Sequence, residues 1–190
     1  MNKLKIGYAM CGSFCTIASS IKALKALKSK GYDIYPIFSP IVQNSDTRFT
    51  DCRLLAYEVE SICEKKIIRT IPDAEPIGPK KMFDVLAVCP CTGNTLAKIA
   101  YGITDTSVTM AVKAHIRNNR PTVIALATND ALGAAAKNIG TLLNTKNFYF
   151  VPFSQDDPLL KERSMIANFN LLEDTVLSAM NGEQLKPIIC

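Results

Sequence analysis

Residues 84–106 read "DVLAVCPCTGNTLAKIAYGITDT". The opening run, "DVLAVC" (84–89), is continuously apolar after its first residue, as expected of a parallel strand covered on both faces. Where that strand ends, Pro90, Thr92, Gly93, Asn94 and Thr95 crowd turn-forming and hydrogen-bonding groups together before a helix-like run begins. A plain connection needs fewer polar side chains than this. The stretch therefore predicts a buried central strand with a ligand site at its carboxyl end.

The flanking sequence supplies the rest of the sheet. "LKIGYAM" (4–10) reads as a first strand, followed by a helix from Ser13 to Lys30 with Ile17, Ile21, Leu24 and Leu27 on one face. Ser13 is placed as its N-cap and Gly31 as its stop. "YDIYPIF" (32–38) is a second strand, and residues 46–66 a second helix with Phe49, Leu54, Leu55, Val59, Ile62 and Cys63 facing inward. "KIIRTI" (66–71) reads as a short strand before a proline-rich connection. After the opening stretch come a helix over 105–118, a strand "TVIALA" (122–127), a helix over 133–144, a strand over 147–152 and a helix over 164–181. Strands alternating with helices predict a three-layer, Rossmann-like α/β fold with a mostly parallel sheet. One domain over residues 1–190 is expected.

Composition narrows the classes of function. With 48% apolar and 21% charged residues, the chain reads as globular. No apolar run approaches the roughly 20 residues that span a bilayer, and the N-terminus lacks a signal peptide's apolar stretch, so a cytoplasmic location and no membrane partner are expected. The net charge of +5 is spread over scattered lysines without an arginine stripe or aromatic platform, so no nucleic-acid partner is expected. Seven cysteines, an odd number, argue against a disulfide framework. Neither close pair, Cys11/Cys15 or Cys89/Cys91, has zinc-ligand spacing; the cysteines read as buried small hydrophobes, and no metal is expected. His115, the single histidine, falls on a helical run and reads as surface or structural.

Open α/β sheets bind ligands at the carboxyl ends of their strands. Four polar clusters occupy such ends: Gly12-Ser13-Phe14, Ser39-Pro40, Thr92-Gly93-Asn94-Thr95 and Thr128-Asn129-Asp130. Together they predict a pocket. A helix start after Gly12-Ser13 suits a phosphate. The GxGxxG spacing is absent, and "IFSP" at the end of strand two offers Ser39 in place of the acidic residue that holds a dinucleotide's ribose. A mononucleotide fits this pattern better than a dinucleotide.

Residues 90–105, "PCTGNTLAKIAYGITD", resemble the P-x-[ST]-[AG]-N-T-x-x-K-x-A-x-G-x-x-D signature of the flavoprotein family that includes the cysteine decarboxylases of coenzyme A and lantibiotic biosynthesis. "GYAMCGSFCTIASS" is similar to that family's first strand and phosphate turn, "ALATNDAL" stands where the family has P-x-M-N-x-x-M, and "NIGTLLNTKNFYFVP" resembles the strand-bearing stretch after it. The resemblance implies FMN held by Gly12, Ser13, Phe14, Ser39, Thr92, Gly93, Asn94 and Thr95, with Lys98 packing nearby and Thr128 and Asn129 toward substrate. It also implies a homo-oligomer. Two departures bear on activity. The decarboxylases' histidine, eight residues before Asp84, is Pro76 here, and Leu126, Thr128 and Leu132 replace a proline and two methionines, leaving Asn129. Within the family, residues 75–121 with "VPFSQDDP" resemble members that work with a companion A subunit carrying NAD(P). That narrower resemblance implies oxidation of a dihydropyridine dicarboxylate, or its hydrated precursor, during sporulation. The alternatives are an FMN-dependent decarboxylase or flavin-modifying enzyme of the same fold, and a non-catalytic assembly subunit. No catalytic residue is assigned.

Overall fold

A computed structural model describes residues 3–190. Five strands run parallel in the order β2 (Asp33–Phe38), β1 (Lys5–Met10), β3 (Val85–Cys91), β4 (Thr122–Thr128) and β5 (Phe148–Phe150). All seven residues of β3 are buried, as the unbroken apolar run requires of a strand with helices on both faces. The strand order reverses direction between β1 and β3. In doubly wound sheets that reversal opens a crevice at the carboxyl ends.

Among the described residues, eight α-helices flank the sheet: α1 (Ile17–Ser29), α2 (Pro40–Asn44), α3 (Cys52–Cys63), α4 (Ile71–Ala74), α5 (Gly93–Ala100), α6 (Ser107–Ile116), α7 (Ala136–Leu143) and α8 (Leu172–Met180). Helices α1 and α8 pack on one face with α3 beside α1, and α6 packs on the other between α4 and α5. The stripe Ile17, Ile21, Leu24 and Leu27 of α1 is buried as its spacing predicts, and the helix ends at Ser29, just before Gly31, whose φ of +88° suits a residue without a Cβ. The expected three-layer, mostly parallel architecture is present.

Several boundaries differ from expectation. The predicted helix over 46–66 is the shorter α3, begun by the Asp51 carboxylate accepting the N–H groups of Arg53 (2.8 Å) and Leu54 (3.0 Å). That start turns Leu54 outward, and Phe49 lies before the helix; both are exposed. "KIIRTI" makes only an isolated bridge, Ile37 to Ile68, before Pro72 allows α4 to begin. Ser13 makes no side-chain cap bond; Phe14–Thr16 form a 3-10 turn and α1 starts after Thr16. The motif itself contains α5, with Thr92 as N-cap.

The largest difference lies near the C-terminus. Residues 165–167 are strand β7 (Met165–Ala167), not the start of a helix, and β7 pairs antiparallel with β6 (Phe153–Ser154) and with the end of β4. Met165 and Ala167 are buried while Ile166 is half-buried, a period of two that a three-residue strand gives too briefly to read from sequence. Helix α8 begins only at Leu172. Among the described residues no helix is long and apolar enough to cross a membrane.

Candidate functional site at the carboxyl edge of the sheet

Parallel strands bring the four polar clusters to one edge, and specific contacts join them. The Cys11 N–H donates to the Pro90 carbonyl (3.2 Å), setting Gly12 beside Thr92. The Ser39 N–H donates to the Met10 carbonyl (3.0 Å), tying the end of β2 to the end of β1. Gly93 lies so close to β4 that a Cβ there would stand 2.7 Å from Thr128 Oγ1. Only a glycine allows α5 to start against that strand.

These contacts enclose two adjoining cavities of about 630 and 410 Å³ that share Gly12 and Thr92. Ser13, Phe14, Gly93, Thr128 and Asn129 line the larger, and Ser39, Asn94 and Thr95 the smaller. Every predicted site residue thus touches one cavity or the other. Ile41 lines the smaller cavity beside Gly12, its Cγ2 2.6 Å from where a Cβ on that glycine would lie. Both volumes fall in the range of ligand sites, roughly 300–1,000 Å³.

The polar groups on these walls are incompletely used. Ser39 is buried, and its Oγ has no hydrogen-bond partner. An orphaned buried hydroxyl costs about 1–3 kcal/mol unless a ligand meets it. Thr92 Oγ1 accepts the Thr95 N–H (3.3 Å), while the first amides of α5 have no carbonyl one turn earlier to reach. Lys98 pairs with Asp105 (2.7 Å) at the rim of the smaller cavity, so the lysine and aspartate of the motif also build a local ion pair.

The buried cysteines behind these walls are not ready thiolates. Burial pushes the Cys11 thiol up to about 11, against hydrogen bonds to Thr95 and Thr92 that act the other way. Burial likewise raises Cys89 to about 12 and Cys91 well above the ordinary thiol value. Cys11, Cys63, Cys89 and Cys91 are buried hydrophobes as expected, but Cys15 and Cys190 are exposed and Cys52 is half-buried. His115 lines neither cavity. It is 1% exposed, which excludes a surface role, and its Nε2 lies 3.0 Å from the Pro121 carbonyl. Burial lowers its pKa to about 4, so the ring is neutral and donates that bond.

Sequence reasoning missed part of the larger cavity. Arg48 and Phe49 reach it from the loop before α3, and Asp156, Lys161 and Ser164 from the loop joining β6 to β7. The first pair was hidden by a helix drawn too long. The second group becomes visible only once residues 165–167 are a strand that turns the chain back over β4.

The flavoprotein family profile matches residues 1–181. The chain belongs to the flavoprotein family. Within it, the chain is 40% identical to the B subunit of dipicolinate synthase of Bacillus subtilis, over 97% of this chain and 92% of that protein. The crystal structure of the corresponding B subunit from Bacillus halodurans superposes with a TM-score of 0.91 at 36% identity, covering 100% of this chain and 98% of that one. The peptidyl-cysteine decarboxylase EpiD shares the fold at 21% identity and a TM-score of 0.68, over 93% and 99% of the two chains. The signature stretch corresponds to the β3 end and α5, the wall common to both cavities.

Proposed function

We propose that this chain is the B subunit of a dipicolinate synthase, acting with an A subunit that carries NAD(P) to oxidise dihydrodipicolinate, or its hydrated precursor, to dipicolinate during sporulation. The observation that carries this reading is similarity along nearly the whole length of both chains to the B subunit of the Bacillus subtilis synthase, at 40% identity. The decarboxylase alternative is disfavoured by the site. Pro76, standing where that chemistry places a histidine, lines neither cavity, and Leu126, Thr128 and Leu132 have replaced three residues of the substrate segment.

The residues present fit FMN. The unpartnered Ser39 hydroxyl would take the phosphate, with Gly12 lining the same cavity and Ser13 and Phe14 continuing from it into the larger one. Thr92, Gly93, Asn94 and Thr95 would hold the ring system, glycine letting backbone approach closely and the amide and hydroxyls orienting its polar edge. A sheet with its switch point between β1 and β3 is also the arrangement in which flavodoxin-like folds bind FMN. When bound, the flavin would supply a two-electron acceptor. Thr128 and Asn129, across the larger cavity, would position the substrate. Oxidation removes a hydride and a proton from the dihydropyridine and leaves an aromatic ring, so the protein's task is to orient the acid and exclude water rather than to stabilise a high-energy intermediate.

The test is reconstitution. The purified chain is assayed for dipicolinate formation alone, with the A subunit, and with FMN titrated in. Turnover that needs both chains supports the proposal; a chain that leaves the A subunit's activity unchanged contradicts it.

A further inference from the structure

Three cationic side chains line the two cavities, Arg48 and Lys161 in the larger and Lys98 in the smaller. Two of them already hold carboxylates: Lys98 pairs with Asp105 at 2.7 Å and Lys161 with Asp156 at 2.8 Å. Among the described residues Arg48 has no ion pair and no side-chain hydrogen bond. Its guanidinium lies 4.7 Å from the centroid of the Phe49 ring instead. Packing on a ring steadies the guanidinium while leaving its five N–H donors unused by protein.

The acids on the same wall do not answer it. Asp156 is engaged by Lys161, and the Asp130 carboxylate folds back to accept the Ala134 N–H at 2.9 Å. A carboxylate entering this cavity therefore meets one cation whose donors it need not win from another partner. The guanidinium is also the group whose planar fork matches a carboxylate with two parallel hydrogen bonds. In the same cavity, at the end of β4, Asn129 Oδ1 accepts the Ser164 hydroxyl (3.3 Å), which leaves the amide N–H₂ as a second donor from a different element.

We infer that Arg48 is a specificity-determining residue, reading one carboxylate of the ligand in the larger cavity and selecting a planar dicarboxylate over the matching monocarboxylate. A dicarboxylate meets the Arg48 and Asn129 donors together; a monocarboxylate meets one of them. The identity of the acid rests on the functional reading above, whereas the assignment of Arg48 rests on the cavity.

Calorimetric titration of pyridine-2,6-dicarboxylate and of pyridine-2-carboxylate tests this on the wild-type chain, Arg48→Met and Arg48→Lys. Arg48 is an exposed loop residue, and matching circular dichroism melts would verify that the variants fold. Losing a charge-assisted contact should weaken the dicarboxylate roughly tenfold to a hundredfold in Arg48→Met. The monocarboxylate should weaken less, so the preference collapses, and Arg48→Lys should restore part of it. In the assay with the A subunit, Arg48→Met should raise KM and leave kcat near the wild-type value. An undiminished preference in Arg48→Met, or a wild-type chain that binds neither acid, overturns the inference. Turnover with an unaffected Arg48→Met defeats the arginine assignment alone. Loss of preference in a chain that gives no turnover defeats the functional reading and leaves Arg48 as a carboxylate anchor.

Discussion

Asn94 stands at the smaller cavity with its side-chain amide unengaged by the protein, in the one motif that the sequence made plain. Replacing it with alanine removes two donors and an acceptor from the proposed flavin wall. FMN affinity should fall roughly tenfold to a hundredfold, the equivalent of about 1–3 kcal/mol. Stability should move by no more than about 0.5 kcal/mol, because an exposed amide adds little to the core. Fluorescence titration and denaturant unfolding check the two halves separately. His115 gives the complementary case. Its folded pKa of about 4 lies below the ordinary 6.5, so the unfolded chain binds more protons between those values. The stabilisation is therefore complete above pH 6.5 and is lost as pH falls toward 4, by an amount on the order of 3 kcal/mol. Unfolding measured across that window should be steeper in wild type than in His115→Gln, while FMN binding at pH 7.5 should be alike in both. The clusters at strand ends were readable because each is contiguous in sequence. Arg48 was not, since its neighbours in the cavity include Asp156, Lys161 and Ser164, which come from a loop far along the chain.

Elements were legible where their period was long enough to declare itself. The buried runs of β3 and β4 and the stripe of α1 matched expectation closely, whereas β7 and the start of α3 depended on tertiary pairing and on one capping aspartate. A buried polar bridge holds the elements that frame the site. The Tyr8 hydroxyl on β1 lies 2.8 Å from the Ser20 carbonyl on α1 and 3.1 Å from Cys89 Sγ on β3. The Ser20 hydroxyl in turn donates to the Cys89 carbonyl at 2.7 Å, immediately before the motif. Tyr8→Phe deletes the shared hydroxyl from a fully buried position. It should cost about 1–2 kcal/mol of unfolding free energy, read as a lower denaturant midpoint at unchanged slope. An unshifted midpoint would mean that this bridge does not hold β1, α1 and β3 in register.

Across the molecule, the parallel order 2-1-3-4-5 is what gathers distant polar clusters into one crevice; alternation of strands and helices was enough to foresee the mostly parallel sheet, but not this strand order. Which large apolar side chains remain uncovered was not readable, because that depends on how the loops settle over the sheet. Leu159 and Leu160 are 90% and 85% exposed on the loop that supplies Asp156 and Lys161 to the larger cavity, and Leu54 and Tyr57 are exposed on α3. Contiguous exposed apolar patches mark contact surfaces, and Leu159 and Leu160 are adjacent in the chain. We expect a homo-oligomer in solution, with a light-scattering mass that is a multiple of 20.8 kDa; a monomer at all concentrations would contradict this. The cofactor reading proposed for this chain turns on the carboxyl edge of the sheet being a flavin site. The decisive experiment is an equilibrium titration of FMN into the purified chain, followed by the shift of the flavin absorbance band. Saturation at one FMN per chain, weakened in Asn94→Ala, is the expected result; a flavin spectrum that stays that of free FMN throughout the titration would show that the edge holds no flavin.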